Sequence, residues 1–181
     1  MLKKTFSLII VLITTSCFNK KIEEIKYFNF DELNTTQSSQ VNSKYLEGIN
    51  FLDLEVHLLK NNFQKETVKE LSDSLISKKY IFSEPESTYE IIVSGDQKIK
   101  KIEFYSKSNI NPLKMANIFF KNASKIPIPQ VDTLRVRKWT EKNITSINED
   151  LSKATILSNV YYNLKQISQN EFKLTIKKYW V

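Results

Sequence analysis

Two stretches of the chain alternate apolar and polar residues around a short turn, and together they commit it to an antiparallel sheet. In the first, Tyr89 to Val93 leads through Ser94-Gly95-Asp96-Gln97 into Ile99 to Tyr105. In the second, Tyr161 to Ile167 leads through Ser168 to Asn170 into Phe172 to Val181. Side chains on a strand point alternately to opposite faces. Ile102 and Phe104 therefore share one face while Lys101 and Glu103 share the other. Phe172, Leu174 and Ile176 likewise oppose Lys173, Thr175 and Lys177. Each hairpin has one face to bury and one to leave wet, as antiparallel sheets do. Gly48 and Gly95 are the only glycines in 181 residues, which argues against glycine-rich phosphate loops.

Between the hairpins the apolar period lengthens to that of helices. Pro112 fits a first helical turn, and Met115, Ile118, Phe119 and Phe120 give helical spacing over 113–124, ended by Pro127 and Pro129. Thr67-x-x-Glu70 matches a capping box, with Val68, Leu71 and Leu75 on one face, and predicts a helix over 67–79. Two segments stay open. In 50–62, Leu52, Leu54, Val56 and Leu58 alternate as in a strand, yet Leu52, Val56, Leu59 and Phe63 form a helical stripe. In 132–143, Asp132 fits a helix cap, but Leu134 and Val136 alternate with Arg135 and Arg137. Helices followed by hairpins predict one α+β domain over 47–181, with an antiparallel sheet of about 4–5 strands and 3–4 helices.

The first residues read MLKKTFSLIIVLITTSC. Lys3 and Lys4 precede a short apolar run from Phe6 to Ile13, and small polar residues follow, as at an export-signal cleavage site. The run is too short to cross a bilayer, which takes about 20 residues. With Cys17 directly after Ser16, the segment resembles the lipobox of bacterial lipoproteins, and the resemblance covers residues 1–17 only. Thr14 stands where the usual lipobox has Leu. The resemblance implies a signal peptide over 1–16, cleavage between Ser16 and Cys17, and lipid on the Cys17 thiol. Thiolate nucleophilicity suits that transfer, and several acyl chains hold a protein firmly on a membrane. Phe18 follows the cysteine in place of the Asp of an inner-membrane retention signal, which by the same resemblance favours the outer membrane. Residues 17–46 then read as the lipidated terminus and a flexible tether. Thr35 to Ser43 is polar, and about 30 such residues reach roughly 30 Å. The aromatic run Ile25–Phe30 interrupts it and could add a strand.

The net charge is +7, from 27 Lys and Arg against 20 Asp and Glu. Without Lys3 and Lys4 it is +5. Arg135 and Arg137 are the only arginines, and nucleic-acid sites favour the bidentate guanidinium, so nucleic acid is not the expected partner. A mildly basic face beside anionic lipid is the better use of the charge. The single cysteine excludes an internal disulfide and a cysteine zinc site.

Signatures of catalysis are missing: the chain has no HExxH, GxSxG or P-loop. His57 is the only histidine. With Asp53 one turn earlier it could offer a metal two ligands, too few for a tight site. Glu66 with Glu70, and Glu149 with Asp150, are acid pairs that a glycan hydrolase could use. Glu149 also completes a second capping-box match with Ser146. Phe119, Phe120 and Trp139 read as core, and Tyr179-Trp180 as the end of a last strand. No catalytic residue, metal ligand or cofactor is assigned. The expected function is that of a lipid-anchored envelope protein acting by protein binding, as an immunity protein, an inhibitor or an envelope accessory factor. The alternative is an envelope hydrolase working through carboxylates.

Overall fold

The computed structural model describes Phe30, Leu33, residues 44–72 (backbone alone at 67–72) and residues 75–179. Cys17, Ser16, most of the 17–46 stretch and Trp180 lie outside the described residues. The fold is α+β. Helix α1 (Phe51–Lys60) leads into four strands, β1 (Gln64–Ser72), β2 (Leu75–Glu84), β3 (Ser87–Gly95) and β4 (Ile99–Ser108). Helices α2 (Pro112–Ala123) and α3 (Thr133–Ile144) follow. Then come β5 (Ser152–Leu157), β6 (Val160–Ser168) and β7 (Glu171–Lys178).

The seven strands among the described residues form one sheet in the order β1-β2-β3-β4-β7-β6-β5, with each of these pairings antiparallel. Two strand arrays, β1–β4 and β5–β7, are each built from sequential neighbours. They join where β4 meets β7, with Ile102 opposite Ile176 and Phe104 opposite Leu174. The α2–α3 connection carries the chain across to the far edge before it returns to this seam.

Among the described residues the sheet has seven strands, where the sequence predicts about 4–5, and there are three helices, within the predicted 3–4. Much of the difference lies at 67–79, where the expected helix is instead the β1–β2 hairpin. There Val68 pairs with Lys78 and Glu70 with Ile76. A four-residue capping match is a local preference worth about 1 kcal/mol. It loses to the ladder formed by β2 on β3, in which Tyr80 lies opposite Ile91 and Phe82 opposite Tyr89. The second capping match fails too: Glu149 sits in the turn leading to β5 rather than in a first helical turn.

Both open segments are helical. Asn50 caps α1, its side chain accepting a hydrogen bond from the Asp53 N–H at 2.7 Å. Asp132 caps α3 by accepting from the Arg135 N–H at 3.1 Å. Pro112 occupies the first turn of α2, after Asn111 in a left-handed conformation. On α1 the buried face differs from the expected stripe. Leu54, His57 and Leu58 are buried, whereas Leu52, Val56 and Leu59 are 69%, 43% and 47% exposed. Apolar residues occupy both faces of this helix, so periodicity alone does not choose between them.

All three helices pack on one face of the sheet. A chain of aromatic rings threads the core beneath them, from Phe63 through Phe82, Tyr89, Phe119 and Phe104. Phe30 ends the chain, completely buried, with its ring 6.1 Å from Phe104 and 5.3 Å from His57. Leu33 is buried beside it in the same core, although both residues fall in the stretch that reads as tether.

Candidate interaction surfaces

The face of the sheet turned away from the helices carries the outward positions of every strand. Across its middle, register places Lys101, Glu103 and Tyr105 of β4 opposite Lys177, Thr175 and Lys173 of β7. These in turn lie opposite Tyr161, Asn163 and Lys165 of β6. Glu103 anchors this surface. Its carboxylate accepts from Lys173 at 2.6 Å and from Lys101 at 2.8 Å, and the residue is buried. Burial pushes the Glu103 pKa up, but the two lysine hydrogen bonds outweigh it and hold the carboxyl below its usual range. Lys173 also lies 5.0 Å from the centre of the Tyr105 ring, and Lys177 is 5.0 Å from that of Tyr161.

This surface continues around the β3–β4 turn. Lys44, Lys98 and Lys100 stand over the Tyr45 ring, at 5.2, 5.7 and 5.7 Å. The Tyr45 hydroxyl donates to Asp96 at 3.0 Å, and Lys100 pairs with the same carboxylate at 2.9 Å. That hydrogen bond from Lys100 is the main reason the Asp96 carboxyl lies well below the ordinary range. The opposite loops differ in sign. Glu84 and Glu86 flank the β2–β3 turn, Glu149 and Asp150 precede β5, and Glu171 closes the β6–β7 turn.

A second surface is the outer face of α1. Leu52, Val56 and Leu59 lie at i, i+4 and i+7, hence on one side of the helix, and all three are exposed. On another side of the helix Glu55 ties α1 to the sheet. Its carboxylate accepts from Lys65 at 2.8 Å, Lys78 at 2.8 Å and the Tyr80 hydroxyl at 2.9 Å. The hydrogen bonds from Lys65 and then Lys78 lower its pKa from 4.5 to about 2. A carboxyl with a depressed folded-state pKa stabilises the fold above its unfolded value and loses that contribution as pH falls toward the folded value. Glu55→Gln is therefore expected to cost about 1–3 kcal/mol at pH 7. The deficit against the parent chain should shrink as pH drops from about 4.5 to about 2. Urea unfolding of both proteins at pH 7 and pH 3 checks this; a deficit unchanged at pH 3 contradicts the ion-pair assignment.

The residues that could have carried chemistry are placed apart. His57 lies in the core against Phe30, with the Asn61 side-chain amide 3.3 Å from Nε2. Asp53 engages Asn50 in a reciprocal pair at the start of α1. Glu66 pairs with Lys79 at 3.0 Å. Glu149 alone of the suggested acids lines an open polar depression of about 640 Å³, beside Ser108, Asn109 and Asn170. Among the described residues no three His, Cys, Asp or Glu side chains are grouped to hold a metal. Nor is any helix among them long and apolar enough to cross a membrane. Phe119 and Phe120 are buried, and Trp139 packs partly buried against the core.

Individually, the outward lysines were legible in the alternation of the two predicted hairpins. Their gathering on one surface was not, because it depends on the β4–β7 pairing. Compared with protein-family models, with curated proteins and with solved structures, the chain gives no match.

Proposed function

We propose that the chain is a bacterial envelope lipoprotein, carried on lipid at Cys17, that acts by binding another protein. The run MLKKTFSLIIVLITTSC carries the anchoring half of this reading. The binding half is supported by the apolar stripe Leu52–Val56–Leu59, exposed on α1 and aligned along one helical face. An exposed stripe of this spacing suits insertion into a groove on a partner, with the three side chains as anchors. Roles as an immunity protein, an inhibitor or an accessory factor for envelope assembly all require such a surface. The hydrolase alternative has less support: the Glu149 depression is lined by one carboxylate, whereas glycoside hydrolysis uses a pair.

Two measurements in the native host test the halves separately. Cys17→Ala is expected to move the protein out of the membrane fraction and leave its mass without acyl groups. Retention of the variant in the membrane would defeat the anchoring model. For binding, Leu52→Glu with Val56→Glu should abolish the crosslinks formed by the parent chain while its thermal midpoint stays within a few degrees. Crosslinks that survive the double substitution place the partner elsewhere.

A further inference from the structure

We infer that the lysine-rich end of the open sheet face, from the β3–β4 turn across β4, β7 and β6, is a docking surface for the anionic headgroups of a bilayer. Pairing makes the surface continuous. Lys98 lies in the turn and Lys100 near the start of β4, Lys101 lies opposite Lys177, and Lys177 lies opposite Tyr161. With Lys44 at the turn and Lys173 and Lys165 further along, it holds seven lysines. The acids among them are Asp96 and Glu103. Each acid is already engaged by lysine, so the surface keeps an excess of positive charge.

Its chemistry selects the occupant. All its cations are lysines; Arg135 and Arg137 both sit on α3, on the covered side of the sheet. Ammonium groups act as mobile point charges suited to a diffuse negative field, whereas fixed phosphate or base recognition draws on the planar guanidinium. Lysines lie over the rings of Tyr45, Tyr105 and Tyr161. At the adjoining edge Ile156 is 44% exposed and pairs with Tyr161, and Tyr179 is 39% exposed just beyond β7. Amphipathic rings and an aliphatic side chain beside lysines are what a membrane interface accommodates, rings at headgroup depth and ammonium groups outward. The acidic loops at the opposite end would then point away from the bilayer.

The inference leans on the envelope reading only to bring the domain near a membrane, and it is tested without the acyl group. Among the described residues the buried core runs from Phe30 to Ile176, so a chain of residues 18–181 retains all of it. This chain is floated with phosphatidylcholine vesicles and with vesicles containing 30 mol% phosphatidylglycerol, at low and at high salt. Binding is expected only to the anionic vesicles and should fall with salt. A Lys44→Gln, Lys98→Gln, Lys177→Gln variant should bind on the order of a hundredfold more weakly, at about fivefold per lysine. Lys138→Gln with Lys142→Gln on α3 should bind like the parent. Equal binding to both vesicle types, equal loss in the α3 control, or no binding at low salt overturns the inference. So does tighter binding, per charge, to polyglutamate or to a single-stranded DNA 20-mer. None of these results bears on acylation at Cys17, which intact mass reads independently.

Discussion

Replacing Phe30 with alanine is expected to cost about 3–5 kcal/mol, the loss for emptying a fully buried aromatic site. For a domain of this size that lowers the thermal midpoint by about 10 °C. By sequence the residue closes the aromatic run Ile25–Phe30 within the 17–46 tether, and in a solvated tether substitutions usually change stability by less than about 0.5 kcal/mol. The structure places its ring edge-on to Phe104 and against His57, with no exposed surface, and its carbonyl accepts from the Leu33 N–H at 3.1 Å. Calorimetry of the parent and the variant decides the matter, and a midpoint unchanged within about 2 °C would remove Phe30 from the core. The result also sets the length of any leash. Thirteen peptide steps separate Cys17 from Phe30, a span of at most about 45 Å when fully extended. An acylated chain would therefore keep its folded part close to the bilayer.

Gly95→Ala is the second large effect, at about 3 kcal/mol. A Cβ built on Gly95 would lie 2.0 Å from the Lys98 carbonyl oxygen and 2.9 Å from its carbon, inside the turn that joins β3 to β4. Both atoms are backbone, so no side-chain rotation relieves the clash. The turn must open or the register must slip, and the ladder is already irregular there, with Lys100 of β4 inserted between the Ser94–Lys101 and Gly95–Ile99 pairs. A local signature should accompany the global loss. The Leu46 N–H donates to the Ile99 carbonyl at 2.7 Å. Displacing Ile99 should therefore speed hydrogen exchange at Leu46 beyond the general increase. A variant within 0.5 kcal/mol of the parent in urea would show that the turn relaxes at little cost.

How much of this could be read from residues alone depends on whether the information was local. The hairpins β3–β4 and β6–β7 were, since alternation and turn residues lie side by side in sequence. The same holds for α2, where Pro112 and the Phe119-Phe120 spacing set both its start and its face. The β1–β2 hairpin was not. Residues 67–75 carry helix-like spacing, and only the pairing of β2 with β3 overrides it. On α1, leucines on both sides made the buried stripe ambiguous until Tyr80 and Phe30 were in place against it. The gathered lysine surface was the least legible, since no local pattern announces that β4 and β7 are neighbours.

The seam between β4 and β7 has a consequence for how the molecule assembles. Strands 64–108 can zip together as soon as they are made, whereas β4 waits for a neighbour about seventy residues downstream. Contacts that close such long loops form late and slowly. A chain delivered from its N-terminus would hold an unfinished edge, apolar on one side, until β7 arrives. Premature termination before residue 171 would make that waiting state permanent, leaving an exposed strand prone to self-association.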